Sequence, residues 1–402
     1  MLNGLGARSI SDGGLNLKKV RLMELFSGAG GFTASLLDGI FEVTDAFDSD
    51  DVACMVYGKN RPTTRLHNVD ITSVREFSAV VKPPDILIAG PPCQGFSIVG
   101  MKTKRALSEI KRYDPSTDPR NLLPLEIPRV AAQLRPKALI MENVPAMRGH
   151  VVSIGEEEKP ISDLIVAGLE DAGYSVSRPV LVDAQDFGVA QRRKRAFILA
   201  ARDADIGGCE IQSILNRLGG PSLHTTLRAA IGDLALLRTR APREPRQNQE
   251  PPDHVARIPN VDDMKIIRAL RPGEDYASLI ERMPDILVGR THKAYRTDSF
   301  RDKFYRMSWD APSRTIVAHL QKDGNSFIHP SLDRSISVRE AARIQSFPDG
   351  FVFGVPMGHA YRLVGNAVPP IVGKVLVEML SKVAGLVGAG ESKSMEFASL
   401  VD

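Results

Sequence analysis

The chain is poor in cysteine and tryptophan and lacks any long apolar run. Its three cysteines, Cys54, Cys93 and Cys209, stand far apart, and no C-x-x-C pair occurs. That spacing excludes a disulfide framework, a thiolate zinc cluster and a dithiol redox couple, and it implies a reducing compartment. No stretch approaches the roughly 20 apolar residues that cross a bilayer, and the first residues have no apolar core of signal-peptide length. These absences describe a soluble, cytoplasmic protein with no membrane association. Neither internal repeats nor sustained heptads are present, which excludes solenoids and coiled coils.

What is present suffices for a large core. Of 402 residues, 43% are hydrophobic and 25% charged, enough for two domains. The net charge of +4 is compatible with a polyanionic partner without requiring one. After a Gly/Ser-rich start, residues 20–26 read as a buried strand, a Gly-rich turn follows, and a helix is expected to begin at Phe32–Leu37. Further apolar runs at 41–47, 85–89, 138–141, 175–182 and 196–200 read as parallel strands separated by crossover helices. The expected fold is an α/β sheet with helices on both faces. From about Ala201 to His329 the chain is rich in Pro and Arg and weakly periodic, which marks a smaller, loop-rich second domain. Regularity returns in a helix opened by the Ser337/Glu340 capping box and in a last helix from Pro369-Pro370 to about Leu386.

The turn from Phe26 through Ser27, Gly28, Gly30 and Gly31 lies where a parallel sheet binds nucleotide-like ligands. Thr33 replaces the third glycine of a dinucleotide fingerprint, which points to a different adenosine cofactor. Asp48, at the end of the next strand, can accept hydrogen bonds from ribose hydroxyls; Asp50 and Asp51 crowd the same turn. Asp70 could hold an adenine amino group or cap a turn. The most specific feature runs from Asp85 through Pro91-Pro92-Cys93-Gln94 to Ser97. Two prolines fix the backbone before a thiol at the carboxyl end of a strand, which aims the thiol instead of burying it. Glu142 ends another strand and could face the same site, where burial favours its protonated form.

Six segments in consistent order resemble the DNA (cytosine-5)-methyltransferase family of bacterial modification methylases: LFSGAGG, GPPCQGFS, MENV, DFGVAQRRKR, VREAARIQSFPD and RLVGNAVPP. The resemblance implies a Rossmann-like cofactor domain that the chain re-enters at its end, with a target-recognition domain inserted. In these terms 1–17 is a mobile extension, 18–202 the catalytic and cofactor domain, 203–330 the target-recognition domain, 331–388 the return and 389–402 a mobile tail. It implies S-adenosylmethionine as methyl donor, S-adenosylhomocysteine as product and no metal. By position it assigns Cys93 as nucleophile, Glu142 as the cytosine-binding acid, and Arg193 and Arg195 as supports of the active site and the DNA backbone. The cofactor contacts it implies are Phe26, Ser27, Gly28, Gly30, Gly31, Asp48, Asp70, Pro91, Asn366 and Val368.

Double-stranded DNA is the expected substrate, with Gln94, Ser97, Lys102 and Arg193 as contacts, and the target cytosine must be flipped to be reached. The loop from Gln94 to Lys104 suits a closing lid or an ordinary surface loop. Residues 286–322 hold eight Lys/Arg against three Asp, with interleaved aromatics, a composition that fits phosphate positioning. A monomer and a separately encoded restriction endonuclease as partner are further implications. The family's Arg-Gly-x-Leu-Phe-like segment is replaced by residues 118–122, DPRNL, which leaves the cofactor contact there open. The alternatives are an RNA methyltransferase of the same fold, a silent DNA-binding protein and a nicotinamide oxidoreductase.

Overall fold

Four successive buried apolar residues make β4 (Ile86–Ala89), the signature of a parallel strand covered on both faces. The computed structural model describes residues 19–36, 39–92, 119–154, 157–204, 211–244, 246, 250–287, 303–322 and 324–387. Around β4 it arranges β1 (Val20–Leu25), β2 (Phe41–Asp48), β3 (Arg65–Asn68), β5 (Ala138–Asn143), β8 (Ser175–Val176), β9 (Val180–Asp183) and β10 (Lys194–Ala201). The order is β3-β2-β1-β4-β5-β10-β8, with β9 also paired to β10. A separate hairpin joins β6 (Val151–Ile154) to β7 (Glu157–Pro160).

From β3 to β5 the strands are parallel. The chain leaves β1 toward β2 on one side and returns to β4 on the other, so a crevice opens at the carboxyl ends of β1 and β4. The remaining edge departs from the all-parallel expectation, since β10 runs antiparallel to β5, and β8 and β9 antiparallel to β10. Nor is 175–182 one strand: Pro179 separates β8 from β9, as a residue without an N–H must in a ladder.

Side chains alternate between two cores, Val20 and Leu22 of β1 facing one, Met23 and Leu25 the other. The helices are α1 (Asp51–Asn60), α2 (Glu126–Leu134), α3 (Ile161–Asp171), α4 (Ile211–Leu218), α5 (Leu227–Ile231), α6 (Val261–Ala269), α7 (Tyr276–Arg282), α8 (Val338–Ile344), α9 (Met357–Asn366) and α10 (Pro370–Val383). In α2 the buried residues Ile127, Val130, Ala131 and Leu134 recur at helical spacing and cover the second face together with α3. The first face is covered by α10, so the end of the chain returns to the sheet. Leu215 of α4 belongs to that same core. Val255, Met307 and Ile316 join α5, α8 and α9 in a third core, while α6, α7, Phe304 and Ile328 form a small fourth.

Two further expectations need correction. No helix begins at Phe32: residues 31–35 are turns, because the Thr33 carbonyl is taken by Leu36 N–H at 2.9 Å and by the Arg61 guanidinium. The stretch Met357–Val383 is long and apolar enough to cross a membrane, against the reading that none was. Here it is two helices broken at 367–369, most of it buried in the protein.

Candidate active site

At the end of β1 the backbone enters the left-handed region at Phe26 (φ 54°), Gly28 (56°) and Gly30 (84°). That conformation costs a phenylalanine energy. It is held by Ser27 N–H donating to Phe47 O at 3.0 Å and by Gly90 N–H donating to Leu25 O at 3.2 Å, so the strained turn is pinned to both flanking strands. A side chain at Gly31 would put its Cβ 2.8 Å from that of Ala367, which is why the turn can lie against the returning chain.

Asp48 Oδ2 accepts from Gly28 N–H at 2.7 Å and Oδ1 from Asp50 N–H at 2.8 Å. Burial pushes its pKa above the ordinary carboxylate value despite these bonds. A carboxylate offers about four lone-pair sites, more than these donors and the Ser49 N–H fill, so it can still accept from a hydroxyl. Asp70 caps the turn Ile71–Ser73, its Oδ1 accepting from Thr72 N–H at 2.9 Å; both readings of this residue therefore stay compatible.

Glu142, next to last in β5, is buried. Its Oε1 lies 2.8 Å from Arg195 Nε, and its Oε2 lies 3.9 Å from where a Cβ on Gly90 would stand. The acid thus sits beside the start of the Pro-Pro-Cys segment. Burial pushes its pKa up, while Arg195 and Arg193 pull the other way; desolvation wins. Sequence reasoning overlooked Asn143, whose Nδ2 donates to Pro91 O at 3.3 Å and whose Oδ1 accepts from Val144 N–H at 2.8 Å. The amide ties the end of β5 to the same segment.

Arg193 is 1% exposed. Its Nη1 donates to Ile316 O at 2.9 Å, and its Nη2 to Gly365 O at 2.8 Å and Ala367 O at 2.9 Å. The side chain is a clamp joining β10 to the return and to Ile316. Across the site, Arg362 of α9 pairs with Asp50, the N-cap of α1, Nη2 to Oδ1 being 3.2 Å.

These groups surround a cavity of about 390 Å³ at the crevice, within the ~300–1,000 Å³ common for small-ligand sites. Phe26, Ser27, Gly28, Gly31, Asp48, Asp70, Pro91, Asn366 and Val368 line it, as do Glu142, Arg193 and Arg195. Gly30 does not; it lies under the Tyr57 ring. The buried Ser27 Oγ has no hydrogen-bond partner among the described residues. Apolar walls, a free hydroxyl and an acid with spare lone pairs fit a cofactor bearing ribose. Arg120 and Leu123 also line the cavity, so the divergent DPRNL region does reach the site. Cys93, Gln94, Ser97 and Lys102 lie outside the described residues, as do the terminal extensions and the basic stretch 288–302.

A ligand cavity at the switch point of a doubly wound sheet, with a buried ion-paired acid at its edge, defines an α/β enzyme of the Rossmann-like class. Residues 20–382 match the profile of the C-5 cytosine-specific DNA methylase family, and the chain belongs to that family. It is 30% identical to the Type II methyltransferase M.AgeI of Thalassovita gelatinovora, over 90% of this chain and 99% of that protein. Identity is also 30% to M.Eco47II of Escherichia coli, over 90% and 80%. A solved E. coli prophage protein described as a DNA modification methyltransferase superposes with a TM-score of 0.64 at 20% identity, over 91% of this chain and all of that one.

Proposed function

We propose that this chain is a site-specific DNA (cytosine-5)-methyltransferase in which Cys93 attacks the base and Glu142 governs its protonation. Membership of the methylase family carries the activity; the observation that carries the mechanism is the burial of Glu142 beside Gly90, with Arg195 on its far oxygen. Carbon 5 of cytosine is a poor nucleophile. Addition of the Cys93 thiolate to carbon 6 would break the ring's aromaticity and load electron density onto carbon 5. Glu142, its pKa raised, would hold a proton at ring nitrogen 3 and so stabilise the charge arriving there. S-adenosylmethionine, when bound, supplies an electrophilic methyl carbon. Loss of the carbon-5 proton then lets the thiolate leave and restores the aromatic ring.

Asp48, Asp70, Ser27 and Asn366 would hold the cofactor, and the strained Phe26 turn would shape the wall against which it lies. The target atom is inaccessible within a stacked duplex, so the cytosine is flipped out at a cost of a few kcal/mol. The protein would act in the cytoplasm as a monomer, beside a separately encoded restriction endonuclease of the same site preference. Unmethylated genomic DNA incubated with protein and S-adenosylmethionine, then mapped by bisulfite sequencing, should show protected cytosines confined to one short motif. Cys93→Ser should abolish turnover and leave cofactor affinity within about twofold; near-normal turnover would remove Cys93 from its role. Methylation of transfer RNA and not of DNA in a parallel reaction would transfer the activity to RNA.

A further inference from the structure

The run from Gln191 to Arg195 alternates in exposure: Gln191 and Arg193 are buried, Arg192 and Lys194 exposed, and Arg195 half-buried against Glu142. This is the period of an extended strand, whose successive side chains face opposite ways. Arg193 and Arg195 are consumed inside. The outward pair borders a second, open cavity of about 600 Å³, lined by Asp183, Gln185, Arg192, Lys194, His224 and Thr315 among others.

The walls of this trough are built. On one side the segment at Ser313 runs beside Gln191, with Arg192 N–H donating to Ser313 O at 2.9 Å and Thr315 Oγ1 to Arg192 O at 2.7 Å. Opposite, β9 ends at Asp183 beside Lys194. The Asp183 carboxylate is engaged by its own neighbours, Oδ1 accepting from Arg193 N–H at 3.1 Å and Oδ2 from Gln185 Nε2 at 3.3 Å. His224 is likewise held, 2.8 Å from Asp186. The side chains of Arg192 and Lys194 have no hydrogen-bonding or ion-pair partner among the described residues. Two uncommitted cations therefore face a polar trough, Lys194 one residue and Arg192 three residues along the chain from Arg195, the arginine that holds the active-site acid.

We propose that this trough seats the phosphodiester backbone of the DNA substrate beside the flipped cytosine, with Arg192 and Lys194 as its cationic contacts. The assignment rests on the cytosine-methylation reading and adds to it how the duplex is anchored. One short run thereby serves two ends: its inward arginines fix the acid and the return of the chain, and its outward cations fix the polyanion next to them. Phosphate contacts of this kind set register and affinity without reading sequence.

The test is Arg192→Gln/Lys194→Gln, with duplex affinity measured from low to high salt. The control is Lys82→Gln/Lys137→Gln, which removes the same charge from exposed positions at the opposite ends of β4 and β5. Each lost phosphate contact lowers the slope of log affinity against log salt by about 0.9, so the test variant should be shallower by about 2. Its DNA dissociation constant should rise roughly tenfold, equally on cognate and non-cognate duplexes, with kcat at saturating DNA and cofactor affinity held within about twofold. An unchanged slope in a variant of an enzyme that still methylates DNA overturns the trough alone, as does an equal loss in the control. A wild-type protein that neither binds nor methylates duplex DNA overturns both readings.

Discussion

The two ends of the Glu142–Arg195 pair pull the acid in opposite directions. Burial raises the carboxyl pKa, and the guanidinium is the largest influence restraining that rise. Removing the positive charge while keeping bulk and hydrogen bonding disfavours the carboxylate, so Arg195→Gln should raise the Glu142 pKa further. Where turnover depends on the protonated acid, activity present at low pH is lost as pH rises through that pKa. The basic limb of the kcat profile should therefore move to higher pH in the variant. Single-turnover methyl transfer between pH 5.5 and 9 would show it; a limb that stays in place or moves down would mean another charge controls the acid. A loss of maximal rate of about 10²–10³ is also expected, the usual cost of removing one electrostatic support from a developing charge.

At the scale of elements, legibility followed periodicity. The strands at 41–47, 85–89 and 138–141 announced themselves as apolar runs, and the Ser337/Glu340 capping box forms as its spacing requires, both bonds being present. What was missed lacked a local signal. β3 is exposed or half-buried and reads RLHN, polar rather than apolar, and strand direction beyond β5 depends on pairing that no single segment encodes. In the site, Glu142 and Asp48 were legible because strand ends in α/β sheets face ligands, whereas Asn143 acts on a carbonyl 52 residues away and left no trace in spacing. Glu24 of β1 was invisible for the same reason: its Oε2 accepts from Tyr57 Oη of α1 at 2.5 Å and from Thr33 Oγ1 at 3.3 Å. Burial raises its pKa, against the pull of those bonds and of Arg61. A carboxyl with a raised folded-state pKa stabilises the fold below its unfolded value, near 4.3, and that contribution is lost as pH rises through the folded value. Glu24→Gln keeps an acceptor for Tyr57 without the charge. Its urea midpoint should fall less between pH 5 and pH 8 than that of the wild type; parallel curves would show that Glu24 does not titrate in that window.

Over the whole molecule, the cavity proposed for the cofactor is assembled from distant parts of the chain, and Arg193 is where they meet. Its guanidinium serves carbonyls of Ile316, Gly365 and Ala367, up to 174 residues away in sequence, and the last two flank Asn366 at the cavity. Arg193→Met fills similar space but leaves three carbonyls short of a donor, each worth about 1–3 kcal/mol when buried. A loss of about 3 kcal/mol or more in unfolding free energy is expected, read from urea denaturation. Cofactor affinity should weaken as well, because the backbone at Gly365–Ala367 is no longer tied to β10. A ligand that binds only the folded state stabilises it by RT ln(1 + [L]/Kd), about 2.7 kcal/mol at one hundred times Kd. Cofactor at a fixed concentration should therefore raise the melting temperature of the wild type by more than that of the variant. A variant that loses stability yet keeps the wild-type cofactor shift would confine Arg193 to holding the fold; one that keeps its stability would mean the three carbonyls find other donors, and the clamp is not what joins the return to the sheet.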